Sequence, residues 1–174
     1  MAFIPDSFVP PRVHETHRLY LQVLSGDYAV QDYECVMECA DGIRGVFGPD
    51  NGWPAKGMTL AENLSDLIRH EREFFAREAF AYSIFEKSMA HRYVGCLYIK
   101  PIKSRLENDQ RKALFQAQAF CWFSPAAVDH EFANLAADEI VQWVETSWPF
   151  TAVAFPGRTI GWDEWNSLAG QQGG

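Results

Sequence analysis

The stretch Ala117-Gln-Ala-Phe-Cys-Trp-Phe-Ser-Pro125 carries the decision about the fold. Residues 117–123 hold no charge and are rich in aromatic and small apolar side chains, which predicts a strand; the proline closes it. Asp129 then stands as a helix cap. Phe132, Ala136, Ile140, Trp143, Val144 and Trp148 recur on one face of the helix that follows, which reaches about residue 148. Toward the N-terminus, Phe80–Phe85 and Tyr93–Ile99 predict two more strands joined by the polar turn EKSMAH. Cys96, Tyr98 and Lys100 share one side of the second, and Val94, Leu97 and Ile99 break a strict alternation. That mixture suits a strand covered on both faces.

Further out, Thr59 and Glu62 form a capping box that opens a helix. Leu60, Leu64, Leu67, Ile68 and Phe75 make its apolar stripe, and His70-Glu71-Arg72-Glu73 falls on its solvated face, with pairs such as Asp66–His70 and Arg69–Glu73. The preceding segment, 42–58, holds five glycines and two prolines and reads as a long loop of the kind that is often functional. Ala29, Tyr33, Val36, Met37 and Ala40 predict a helix ended by Gly42, and His17–Leu24 alternates as a first strand. Residues 1–13, with Pro5, Pro10 and Pro11, read as an extended arm that packs on the body or on another subunit. After the long helix, Thr151–Phe155 predicts a last strand, Pro156-Gly157-Arg158 a turn, and Trp162–Leu168 a short helix. The tail 171–174 is expected to fray. The order β-α-(loop)-α-β-β-β-α-β-α predicts an α/β (α+β) sandwich: one domain over 14–170, with helices on both faces of one mixed sheet.

Composition narrows the function. The 174 residues are 48% hydrophobic and 22% charged, which excludes general disorder. The 13 Phe, 6 Trp and 6 Tyr can fill a core and still line a groove. A net charge of −8 argues against nucleic acid as the partner. No window reaches the roughly 20 apolar residues of a membrane span, and the N-terminus lacks the pattern of a signal peptide, so a cytoplasmic, non-membrane protein with reduced thiols is expected. Cys35 and Cys39, four apart on a predicted helix, read as packed thiols. Cys121, between aromatics, reads as a small buried apolar residue rather than a nucleophile. His14 and His17 have no third ligand beside them, so no metal is expected. Trp143 and Trp148 belong to the core, and Trp53 is the candidate wall or lid of a ligand site.

Three places resemble one family. Thr16-His-Arg-Leu-Tyr-Leu-Gln-Val-Leu-Ser-Gly-Asp27, Tyr93-Val-Gly-Cys-Leu-Tyr-Ile99 and Ala117–Pro125 with its following helix are similar, in this order, to the first, third and fourth strands of the GNAT superfamily of acetyl-CoA-dependent N-acetyltransferases. The similarity is greatest to the branch that includes the ribosomal-protein alanine acetyltransferases. It implies a GNAT-like central sheet and transfer of an acetyl or other acyl group from acetyl-CoA to a primary amine on a small molecule or peptide. The resemblance also implies that the backbone of Trp122, Phe123 and Ser124 holds pantetheine, and that the turn His130, Glu131, Phe132, Ala133 and Asn134 meets the phosphates. Arg158 is a further phosphate clamp or, alternatively, an ion-pair partner of Asp163 or Glu164. Glu86 is the expected general base and Tyr98 the expected acid.

The chain departs from the family in two places. Asp129 and Glu131 stand near positions where glycines cradle the pyrophosphate, and both are also good residues for a helix N-terminus. After the last predicted strand the pattern is shortened at the C-terminus, which would leave a sheet edge for the arm or a second subunit, and hence a homodimer. A GNAT-fold interaction protein that no longer uses acetyl-CoA is the rival reading.

Overall fold

The computed structural model describes residues 3–88, 91–106 and 108–170, so the tail 171–174 lies outside the described residues. Six strands form one sheet in chain order: β1 (Val13–Glu15), β2 (Leu19–Val23), β3 (Phe80–Glu86), β4 (Arg92–Lys100), β5 (Ala117–Phe123) and β6 (Val153–Ala154). Neighbours are antiparallel from β1 to β5, and β5 and β6 are parallel. The helices are α1 (Ala29–Glu38), α2 (Ala40–Ile43), α3 (Leu60–Phe75), α4 (Arg111–Leu114), α5 (His130–Ser147) and α6 (Trp162–Leu168).

Alternation along the strands divides the interior in two. Leu19, Leu21, Phe80, Tyr82, Ile84, Leu97, Ile99, Ala117 and Ala119 meet Ala136, Ile140, Trp143 and Val144 of α5 on one face. Ala81, Phe85, Cys96, Tyr98, Phe120 and Trp122 meet α1, α3 and the intervening loop on the other. The mixed sheet with helices on both faces is thus as expected, and Trp143 and Trp148 are core residues. Gly95 joins β4 to β5 with no room to spare. A Cβ there would lie 1.9 Å from the Trp122 carbonyl oxygen, so only glycine permits this pairing.

Four expectations need correcting. A three-residue strand, β1, precedes the first expected one. Its alternation is too short to register in sequence, and it forms because Val13 and Glu15 pair with Gln22 and Tyr20. The helix from Ala29 breaks at Cys39, whose backbone leaves helical values (φ −116°, ψ 17°), where its thiol donates to the Cys35 carbonyl. On α3 the capping box is present, but the buried face is Asn63, Leu67, His70 and Phe74. Leu60, Leu64, Ile68 and Phe75 are exposed, Ile68 and Phe75 at 54% each. His70 is therefore not on a solvated face, and it pairs with Glu73 rather than Asp66.

The N-terminal arm docks on its own domain. Ile4 is buried in the α5-side core, Phe3 stacks on Phe80, and Arg77 donates to the carbonyls of Pro5 and Phe8. Tyr82 donates its hydroxyl to the Pro11 carbonyl at 2.7 Å.

Candidate functional site

The parallel pairing of β5 with β6 stops after Ala117–Val153 and Gln118–Ala154. From Ala119 to Phe123 the edge of β5 turned away from β4 has no strand beside it among the described residues. A crevice of about 120 Å³ opens there, lined by Ala119, Phe120, Cys121, Pro156, Arg158 and Trp162 among others. Burial lifts the Cys121 thiol to about 11, against the pull of the Arg158 charge. Arg158 faces this crevice and forms no ion pair with Asp163 or Glu164.

Phe120 also borders a second space of about 330 Å³ on the α1/α3 side of the sheet. Tyr98, Lys100, Gln118 and Phe120 line it from the sheet. Asp32 of α1 and Asn63, Asp66, Leu67, Arg69 and His70 of α3 line it from the helices. Phe47, Asn51 and Trp53 come from the glycine-rich loop, which accords with the expectation for Trp53. The Phe47 ring lies 5.1 Å from Tyr98 and 5.4 Å from Phe120, and Phe120 lines both pocket and crevice.

The polar groups here are deliberate placements, because burying each costs free energy unless it is partnered. Asp32 is 3% exposed. It accepts from Tyr93 Oη at 2.5 Å, from Asn63 Nδ2 at 2.8 Å and from Cys96 Sγ at 3.3 Å. Burial still holds its carboxyl above the usual range against these three donors. His70 Nδ1 donates to Glu73 Oε2, 3.2 Å away. Burial and the neighbouring Arg69 and Lys100 cations bring it down to about 4, so it is neutral at pH 7. Lys100 Nζ lies over the rings of Phe47 (4.7 Å) and Tyr98 (5.1 Å). Burial and Arg69 lower its ammonium from the ordinary lysine value. Burial keeps the Tyr98 phenol protonated well beyond neutral pH.

The expected residues are not all brought together. Tyr98 lines the pocket. Glu86 sits at the opposite end of β3, paired in register with Arg92, whereas the partner of Tyr98 on β3 is Ala81; at about 3.3 Å per residue this is roughly 17 Å along the strand. The Glu86 carboxylate accepts from Ser88 instead. Asp32, Asn63 and His70 were missed. For the last two the signal was spacing, since Asn63, Leu67, His70 and Phe74 form an i, i+4, i+7, i+11 stripe as regular as the apolar one.

Coenzyme A can be tested against this geometry. The open edge of β5 suits an extended pantetheine arm, with Trp122 and Phe123 beside it. Ser124 is already engaged: its N–H donates to Val94 O, and its carbonyl accepts from Ala127 and Val128. At the start of α5, Asp129 Oδ1 takes the Phe132 N–H at 2.8 Å and the Asp129 carbonyl takes that of Ala133. His130 and Glu131 keep free amides at this terminus, where the helix dipole favours anions. Asn134 Nδ2 lies 3.1 Å from His130 Nδ1. The Arg92 guanidinium lies at the same turn, donating to the carbonyls of Ala126 and Ala127. This geometry is compatible with the cofactor, whose phosphates would meet two amides and the Arg92 guanidinium rather than a glycine-lined nest.

No model of a known protein family matches the sequence, and no curated protein does. Solved structures do match. A Bordetella pertussis protein assigned to the GNAT acetyltransferase family is 13% identical with TM-score 0.54, over 79% of this chain and 74% of that one. The ribosomal-protein-S5-alanine acetyltransferase of Vibrio fischeri is 12% identical with TM-score 0.52, over 78% and 68%. The microcin C7 self-immunity acetyltransferase MccE, solved with acetyl-CoA and AMP, is 16% identical with TM-score 0.54, over 76% and 65%. At such identities the likeness is one of architecture, and by that architecture the chain has the GNAT acetyltransferase fold.

Proposed function

We propose that this protein transfers an acetyl or other acyl group from a coenzyme A thioester to an amine held in the α1/α3 pocket. The observation that carries the reading is the divergence of β5 from β6 directly beside a pocket of buried ionisable groups, with Phe120 common to both. When bound, the thioester supplies an already activated acyl carbon. The edge of β5 around Trp122 and Phe123 holds the arm, Arg158 lines its path, and the amides of His130 and Glu131 with the Arg92 cation meet the phosphates.

In the pocket, Asp32 binds the amine and accepts a proton from it, since its raised carboxyl is closer to neutral pH than a surface aspartate. The Tyr98 phenol, protonated at working pH, is the hydroxyl able to return a proton to the departing thiolate. The aromatic walls exclude water from both groups.

Titration calorimetry with acetyl-CoA and desulfo-CoA tests the cofactor, and release of free thiol in the presence of amines tests the transfer. Micromolar binding with amine-dependent thiol release is expected. No heat and no thermal shift at millimolar cofactor would leave a GNAT fold that serves as an interaction module.

A further inference from the structure

Two charged groups in the α1/α3 pocket lack an ionic partner. Arg69 is neutralised by Asp66 at 3.1 Å and Glu73 at 3.2 Å. Asp32 has only uncharged donors around it. Lys100 has aromatic faces under its ammonium, and among the described residues no carboxylate lies within 4 Å of it. A buried or half-buried ion left this way is costly unless a ligand completes it. The two stand at opposite ends of one floor. Asp32 is tied to Cys96, and Lys100 follows four residues later on the same face of β4, about 13 Å along the strand. The Lys100 side chain folds back over Tyr98, which shortens that span, and a charge-assisted contact of about 2.8 Å at each end shortens it again. A ligand with opposite charges roughly 7 Å apart would bridge the two groups, and the aromatic rings of Phe47, Tyr98 and Phe120 would pack against an aliphatic chain between its ends.

We propose that the acceptor is a small primary amine that also carries an anionic group at the other end of a short aliphatic chain, its ammonium on Asp32 and its anion on Lys100. This rests on the acceptor role given to the pocket above. It excludes monoamines and polyamines as good substrates, because each would leave Lys100 unpaired or bring a second cation to it.

The test is calorimetry on the full chain, with and without coenzyme A, using ε-aminocaproate, hexylamine and caproate, which differ only in the terminal charges. The expected result is binding of ε-aminocaproate at least about tenfold tighter than either analogue. Lys100→Gln should reduce it to the level of hexylamine and Asp32→Asn to that of caproate, whereas Lys100→Arg should retain most of the preference. Thermal melts confirm that each variant is folded. Equal binding of all three probes, or none at about 10 mM, overturns the proposal. Loss of coenzyme A binding with the ε-aminocaproate preference intact would sink the acyl-transfer reading alone.

Discussion

Glu131 shows how one position can serve helix stability and oppose a ligand. As the second residue of α5 it faces the positive end of the helix dipole, and such an acid stabilises the terminus. The same carboxylate sits beside one of the two amides left free for a phosphate. Replacement of Glu131 by Gln keeps the size and removes the charge, so acetyl-CoA should bind about threefold tighter at low ionic strength, with the gain shrinking toward unity near 0.5 M salt. Calorimetry at two salt concentrations reads it directly. Unchanged affinity at both would place the phosphates away from this turn. Asp129 is a different case, since its side chain holds the Phe132 amide and its removal would cost the helix a cap. The sequence made both acids conspicuous. It could not show which amides they occupy, because that depends on the path of residues 124–129 after β5.

Among the elements, α3 teaches the most. Its capping box was legible because the two residues that form it are local and three apart. Its orientation was not, because two stripes compete around one cylinder and the more apolar one lost. The winning stripe carries Asn63 to Asp32 and His70 to Tyr98, so the helix is placed by the polar needs of the pocket as well as by Leu67 and Phe74. The strands were easier to read: β3, β4 and β5 have largely apolar runs that suit a doubly covered sheet, and β6 lies within the expected Thr151–Phe155 strand, whereas the three residues of β1 pair only because β2 lies beside them. The orientation of α3 predicts contrasting mutants. Leu67→Ala removes a buried side chain and should cost about 2–4 kcal/mol in urea unfolding. Ile68→Gln, one residue on, should change stability by less than about 1 kcal/mol, because more than half of that side chain is already exposed. The reverse ranking would mean that the Leu60-Leu64-Ile68 ridge is the buried one.

For the molecule as a whole, the two faces of the sheet have different chemistry, and the difference sets the response to pH. The α5 face is almost wholly apolar. The α1/α3 face buries Asp32 and His70, each against the tendency of a charge to remain in water. His70 dominates the first stage of acidification. Its folded value is about 4 against an ordinary 6.5, so between these the unfolded chain binds a proton that the folded chain does not. Stability therefore falls as pH drops from about 6.5 to about 4, by about 3 kcal/mol. The groups facing His70 are Arg69 and Glu73 on its own helix and Lys100 on β4; Arg69 and Lys100 oppose its protonation, and Glu73 favours it. His14, lowered by its burial against Trp143, acts in the same direction. Paired carboxylates such as Asp109, held well below the usual range by Arg111, lose their contribution only at lower pH, once the pH falls below the ordinary aspartate value and through their own. Asp32 runs the other way, because protonation relieves the burial of its charge. Urea unfolding of the wild type and of His70→Gln between about pH 8 and pH 4.5 separates these groups. The wild type should lose stability from about pH 6.5 downward, and the variant should lose less over the same range, keeping the share that comes from His14. Parallel curves for the two proteins would mean that His70 charges freely in the folded state, and that the pocket is open to water on its α3 side.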